Sequence, residues 1–403
     1  MVHLSSPRRA GRRGADFPAT LDNRGMNAAP VVVLAPDKFK GSLSAPRVAA
    51  ALAAGIGRVR PDVRTETVPV ADGGDGTVDV FLSAGWTPVP ITAPGPTGRP
   101  VVAVYAMRGT TAVLELANVV GLARLPDGRP DPLGANTFGL GVLIADALDR
   151  GVSRIVLGLG GSASSDGGAG LLTALGARVL DVSGRPVGLG GAALRDAVRL
   201  DLSGLHSRVT ATEFVLACDV DNPLLGPAGA VAVYGPQKGV GPHDREILEA
   251  ALANWARVAG LPYADLPGSG AAGGTGFGAL AVLGARVRSG IEEVLELLDF
   301  RARLSRAALV VTGEGSMDEQ TLHGKAPMGV CAAATGADVP VVAVAGRLAL
   351  SEGRLRAAGF HAAYALTELE PDPGRCITEA APLLERVGAR IAGDLPKTTP
   401  VPR

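Results

Sequence analysis

Short runs of β-branched residues alternate with Ala/Leu-rich stretches of helical period along almost the whole chain, and no other feature limits the fold as strongly. "VVVLA" (31–35) precedes "APRVAAALAAGIGRV", "TETVPV" precedes "TVDVFLSAG", and "RIVLGL" precedes "GLLTALGARVL". The C-terminal part repeats the pattern. "ALVVTG", "VPVVAVAG" and "AAYALT" read as strands, "PMGVCAAATG" and "EGRLRAAG" as helices between them, and a closing helix spans about Ile377 to Ala392. Apolar strands each followed by a helix are covered on both faces and pair in parallel, which predicts an α/β fold.

Breaks in the pattern suggest domains. "TAPGPTGRP", "LPDGRPDPLGANT" and the glycine stretch "GSGAAGGTGFG" (268–278) interrupt the middle, and no internal repeat is present. The reading is one doubly wound, mostly parallel, Rossmann-like sheet from residues 30–87 and 288–395, with a second α/β domain, 88–287, inserted. A chain of 403 residues, 47% of them hydrophobic, can fill two such cores. The first 29 residues are Arg-rich and broken by Pro and Gly without the apolar run of an export signal. They read as a disordered leader, with Met26 a second candidate start, and 396–403 reads as a tail.

Lys+Arg and Asp+Glu both total 39, which argues against a basic nucleic-acid surface. No apolar run reaches the ~18 residues that cross a bilayer. Cys218, Cys331 and Cys376 lie far apart without CxxC spacing, so neither a disulfide framework nor a zinc site is expected. A cytoplasmic protein with a small-molecule partner fits these limits, and a homodimer is left open.

Ligands of open parallel sheets bind beyond the carboxyl ends of the strands. Five such loops combine glycine, hydroxyls and carboxylates. "APDKFKGSLSA" offers Asp37, Lys38, Lys40 and Ser42 ahead of Ser44, a helix N-cap candidate. "ADGGDGT" sets Asp72 and Asp75 across two glycines, oxygen ligands suited to Mg²⁺ or else an N-capped turn. "GLGGSASSDGGAG" presents Gly160, Gly161, Ser162, Ser164 and Ser165 to an anion, with Asp166 either facing a metal or acceptor hydroxyl or capping the next helix. "FVLACDVDNPLLGPAGA" ends a strand with Asp219, Asp221 and Asn222, and "YGPQKG" adds Lys238. "VVTGEGSMDEQTLHGKAP" brings Gly313, Glu314, Gly315, Asp318, Thr321 and Lys325, with a capping box read at Ser316 and Glu319.

Two single-motif readings compete here. Gly158 to Ala163 spells GxGxxA, and Asp181 follows at the spacing of a ribose-binding acid, which would suit an NAD(P)-dependent oxidoreductase. A non-catalytic nucleotide-binding regulator is the other alternative, although affinity alone does not require so many strand-end carboxylates. No GxxxxGK[ST] sequence occurs, and the five histidines complete no triad.

Seven stretches, "APDKFKGSLSA", "VPVADGGDGT", "GLGGSASSDGGAG", "CDVDNPLLGPAGA", "YGPQKG", "GSGAAGGTGFG" and "VTGEGSMDEQTLHGKAP", stand in the order found in the glycerate kinase family, bacterial type 1 group, which the chain resembles from about Val31 to the closing helix. The resemblance implies ATP-dependent phosphorylation of D-glycerate, with 2-phosphoglycerate as product, on a two-domain α/β architecture. The leader has no counterpart there, and Lys38 and His323 stand where relatives often carry serine, so more weight falls on Lys40.

On this reading Mg²⁺ is held by Asp72 and Asp75, and Asp219 is the base for the acceptor hydroxyl. Asp166, Lys40 and Lys325 join it in catalysis. ATP lies on Gly160 to Ser162, Ser164, Ser165 and Gly313 to Gly315, and glycerate meets Asp37, Lys40, Ser42, Asn222, Lys238 and Thr321. The "GSGAAGGTGFG" segment is a hinge candidate or a close backbone approach.

Overall fold

The computed structural model describes residues 30–396; the leader and the tail beyond 396 lie outside the described residues. In chain order the strands are β1 (Val31–Pro36), β2 (Arg64–Thr67), β3 (Thr87–Pro94), β4 (Pro100–Arg108), β5 (Thr111–Glu115), β6 (Arg154–Gly158), β7 (Arg178–Leu180), β8 (Arg199–Asp201), β9 (Glu213–Ala217), β10 (Arg286–Arg288), β11 (Ala307–Met317), β12 (Val341–Leu348) and β13 (Ala362–Ala365). One sheet has the order β13-β12-β11-β1-β2 and is parallel throughout. A second has the order β10-β9-β6-β5-β4-β3, parallel from β10 to β5 and antiparallel at β4 and β3. β7 and β8 form a separate antiparallel pair.

The two-residue period of a strand explains why both faces of the first sheet are dry. Val32 and Leu34 of β1 point to the helices Ala45–Val59 and Ala380–Asp394, while Val33 and Ala35 point the other way. On that other side lie the helices Thr77–Ser83, Gly290–Leu297 and Ala326–Thr335, and the same core takes in Ala106, Val113, Val156 and Val215 of the second sheet. The two sheets therefore share one helical layer. The far face of the second sheet is covered by the helices Phe138–Asp149, Ala169–Ala174, Pro242–Ala259 and Ala271–Val282.

Local readings differ from the structure in three places. "GLLTALGARVL" is not one helix: Ala169–Ala174 stops at Gly176, whose φ of +98° lets its N–H and that of Ala177 turn back onto Thr173 and Leu172, and "RVL" becomes β7. The closing helix is two, Pro373–Thr378 and Ala380–Asp394. β11 continues past "ALVVTG" to Met317, which puts Ser316 in a strand; Glu319 pairs with Arg354 at 2.5 Å, so the capping box does not form. Ser44 does stand at the N-cap of Ala45–Val59, but its side chain makes no capping bond.

Candidate active site

The carboxyl ends of β1, β6, β9 and β11 meet at one seam, and glycines let them meet. A Cβ on Gly73 would stand 2.3 Å from the Ala217 carbonyl oxygen, one on Gly160 2.7 Å from the Cα of Gly74, and one on Gly290 1.9 Å from the Asp72 carbonyl oxygen. The turn after β2 is thus pressed, backbone on backbone, onto the ends of β6 and β9. Beside it opens a cleft of about 220 Å³ lined by Asp72 to Gly74, Leu159 to Ser162, Ala217 to Val220, Tyr234, Gln237, Lys238, Ala271 and Ala272.

One wall is acidic. Asp37, buried beside Asp72 and Glu314, has its pKa pushed up to about 7, first by burial and then by the Asp72 charge. Burial likewise raises Asp219, which accepts the Gly290 N–H at 2.9 Å and lies in the field of Asp72. Glu314 is raised by burial too, against the Thr321 hydroxyl that donates to it at 2.5 Å and the nearby Lys325 ammonium. The carboxylates just after β1, within β11 and in the turns after β2 and β9 thus feel one another.

The facing wall suits an anion. The N–H groups of Gly160 and Gly161 have no acceptor among the described residues, and Gly161 takes a φ of +73° in a tight turn that exposes backbone N–H groups to an anion. Lys238 stands beside them, only 2% exposed. Its Nζ donates to the Ser164 carbonyl at 2.5 Å and the Ser162 hydroxyl at 3.4 Å, and burial pulls its pKa down to about 7 against the opposing field of Asp166. It is no solvated loop lysine.

Asp166 does not line the cleft. Its carboxylate is fully buried, away from the cleft, and accepts Thr137 N–H and Oγ1–H at 2.8 Å each, Gly170 N–H at 3.1 Å and Gly168 N–H at 3.3 Å. It ties the glycine loop to the starts of two helices, so of the two readings the helix-start one describes it. Ser164 and Ser165 are buried with it.

The other expected residues divide similarly. Asp72 lines the cleft and Asp75 does not; the field of Asp75 falls on Asp79 and Glu115, and its backbone carbonyl accepts the Lys38 ammonium. Ser42 donates to the Ile377 carbonyl at 2.5 Å, and Asn222 accepts the Tyr234 hydroxyl at 2.6 Å and donates to Ala228 at 2.8 Å. Both are spent on the fold. Thr321 is fully buried against Glu314, and Lys325 occupies the N-cap position of Ala326–Thr335. Lys40 is exposed on a loop whose backbone lies on Gly315, and Gly313 sits inside β11, where a Cβ would come 1.7 Å from the Val344 carbonyl. The "GSGAAGGTGFG" segment is a close approach: a Cβ on Gly273 would lie 2.0 Å from the Ser164 carbonyl. Asp181, the ribose-binding candidate, is used in its own turn by Ser183 and Arg185.

Sequence reading missed Glu115, which ends β5 with 1% exposure, and also Tyr234 and Cys218 on the cleft wall. An acid closing the apolar run "TAVLEL" was the available signal for Glu115. Among the described residues no three His, Cys, Asp or Glu side chains are grouped to cage a metal. Mg²⁺ held through one or two carboxylates and a ligand's phosphates does not need such a cage, and the hard oxygens of Asp72 and its neighbours suit it.

Residues 32–395 match the glycerate kinase family. The chain is 42% identical to the glycerate kinase of Bacillus subtilis (strain 168) over 90% of its length and 97% of that protein's. It is 39% identical to the glycerate 2-kinase of Escherichia coli (strain K12), over 83% and 90% respectively. A crystal structure from Salmonella typhimurium LT2 that carries the name glycerate kinase 2 superposes with a TM-score of 0.79 at 40% identity, over 91% of this chain and 98% of that one.

Proposed function

We propose, from the premise that this chain belongs to the glycerate kinase family, that it transfers a phosphoryl group from ATP to the 2-hydroxyl of D-glycerate in the cytoplasm. The observation that carries this reading is the pairing of walls: unpartnered N–H groups and a buried lysine face carboxylates across one cleft.

The transfer asks the protein mainly to place two anions together and to neutralise charge. Like unit charges 4 Å apart repel by roughly 4 kcal/mol at an effective dielectric near 20, so ATP and a carboxylate substrate cannot share a cleft unaided. The N–H groups of Gly160 and Gly161 and Lys238 bind phosphate oxygens. Asp72, with Asp37 or Glu314, would hold Mg²⁺, which when bound supplies positive charge to the phosphate oxygens. Asp219, held by Gly290 and raised by burial, accepts the proton of the acceptor hydroxyl. Lys40, in the loop after β1, and Lys325, at the N-cap of Ala326–Thr335, neutralise the substrate carboxylate or the outer phosphate. The residue division 30–87 with 288–395 against 88–287 is supported by the sheet strands, which run 31–67 with 307–365 and 87–288.

Coupled ADP release with D-glycerate, run against L-glycerate and other small hydroxy acids, tests the reaction. D-glycerate is expected to give the highest kcat/KM, and no ADP release with it would refute the reading. In the phosphorus spectrum of the product, coupling to a single proton marks the 2-ester, and a triplet would overturn the assigned position.

A further inference from the structure

The turn that carries Asp72 is held partly from within, Asp72 accepting the Gly74 N–H at 3.1 Å and the Thr77 hydroxyl donating to the Gly74 carbonyl at 2.6 Å, but the helix that follows it has no cap of its own. The turn enters the helix Thr77–Ser83 through Gly76, which stands at the N-cap with φ +90° and has no side chain to accept the first backbone N–H groups. Those groups are satisfied from elsewhere. Glu115, at the end of β5 in the other sheet, accepts Gly76 N–H on one carboxylate oxygen and Val78 N–H on the other, both at 3.1 Å. Glu115 is also in register with Gly158 of β6, and the Leu116 N–H donates to the Gly158 carbonyl at 2.9 Å, just where the chain leaves β6 for the anion-binding loop.

One carboxylate therefore touches the acidic turn and adjoins the strand leading to the opposite wall. The contacts around it make that grip specific. Gly73 and Gly74 lie in backbone contact with Ala217, Gly158 and Gly160, and the Lys38 ammonium holds the Asp75 carbonyl from the other side. Glu115 supplies the side-chain acceptors for the N–H groups of Gly76 and Val78, where this turn becomes a helix.

We propose that Glu115 is a positioning residue for the phosphoryl transfer: reaching across from the second sheet, it sets Asp72 in place against the anion-binding loop. The inference rests on the functional reading above for its consequence, though not for its mechanics. Gln is nearly isosteric with Glu, but it turns one acceptor into an NH₂ that faces an N–H donor, so it loosens the turn without emptying the site.

The test compares wild type, Glu115→Gln and Glu115→Asp by hydrogen exchange of the segment 72–78 without ligands and by ADP release titrated with Mg²⁺. In Glu115→Gln, exchange at Gly76 and Val78 is expected to accelerate while β6 and β9 keep their protection. The Mg²⁺ needed for half-maximal rate is expected to rise on the order of tenfold or more, with KM for D-glycerate within about twofold of wild type. Glu115→Asp keeps the charge on a shorter arm and should fall between, and it carries the test if the Gln variant does not fold. Unchanged exchange across 72–78 overturns the proposal. So does a Glu115→Gln enzyme that is thermally weaker yet keeps wild-type Mg²⁺ dependence, because that is a purely structural role. Wild-type protein that releases no ADP with D-glycerate sinks the functional reading instead, and the exchange comparison still decides what Glu115 holds.

Discussion

Replacing Asp166 by asparagine separates support from chemistry. One carboxylate oxygen accepts three donors, Thr137 N–H, Thr137 Oγ1–H and Gly170 N–H, and the other accepts Gly168 N–H alone. An asparagine would place its single carbonyl oxygen where three donors converge and turn its NH₂ toward Gly168. One buried N–H then loses its acceptor, at a cost of about 1–3 kcal/mol, and the remaining bonds lose their charge assistance. The relieved burial of a carboxylate works in the opposite direction, since burial raises the Asp166 pKa. The net expectation is destabilisation by about 1–3 kcal/mol and a Tm lower by roughly 1–4 °C.

Because the side chain does not reach the cleft, kcat should stay within about tenfold of wild type. Asp219→Asn should instead lose about 10² to 10⁴ in kcat at little cost in Tm, as expected for a general base. Thermal melts and steady-state ADP release on both variants decide the matter. An Asp166→Asn protein with wild-type Tm and a thousandfold loss of kcat would refute the supporting role.

Three further outcomes follow from the same geometry. Gly160→Ala should lower kcat/KM by about 10²-fold, since its Cβ would sit 2.7 Å from the Gly74 Cα, whereas Gly57→Ala, with nothing within 4 Å, should keep full activity and gain about 0.5–1 kcal/mol in denaturant unfolding. Lys238→Met should raise KM for ATP about 10- to 100-fold, the worth of a hydrogen bond to a charged group, and equal KM values would exclude Lys238 from the phosphate site. Asp37 holds its proton up to about pH 7 when folded but releases it near pH 4 when unfolded, so the folded state binds more protons in that window and the group's contribution falls as pH rises. Urea unfolding without ligands should therefore show wild type losing ground to Asp37→Asn from pH 4 to 7, by at most about 1.4 kcal/mol per pH unit; a difference that is flat or of opposite sign would contradict it.

The α/β class and the meeting of strand-end loops could be read from the alternation of apolar runs, because strand period and helix period are local properties. The partners of each loop residue could not. Asp72 and Asp75 look alike in "ADGGDG", yet the backbone of Gly73 and Gly74 turns one to the cleft and leaves the other beside Glu115 and Asp79. Asp166 looks like an active-site acid until Thr137, far earlier in the chain, supplies two of its donors. The glycines were legible as turns. Their larger reason, contact with backbone of a distant segment, is invisible until that segment is placed.

The shared helical layer also bears on how such an enzyme could close over its ligands. A hinge along the seam would have to part the helices Thr77–Ser83 and Gly290–Leu297 from one sheet or the other, since the former packs on β4 and β5 and the latter on β9 and on the helix Ala326–Thr335. Val78, Phe81, Ile291 and Val294 are at most 2% exposed in that layer. Exposing each costs about 1.5–3 kcal/mol, so uncovering the four costs about 6–12 kcal/mol, comparable with the whole stability of a typical domain. Opening the seam as far as these residues is therefore costly, and ordering on ligand binding is expected in the exposed loops, those carrying Lys40 and His323 to Gly324. Small-angle scattering should show the same radius of gyration with and without ATP and D-glycerate together, while hydrogen exchange slows in 37–44 and 318–325. A clear compaction on adding both ligands would mean that the seam does open.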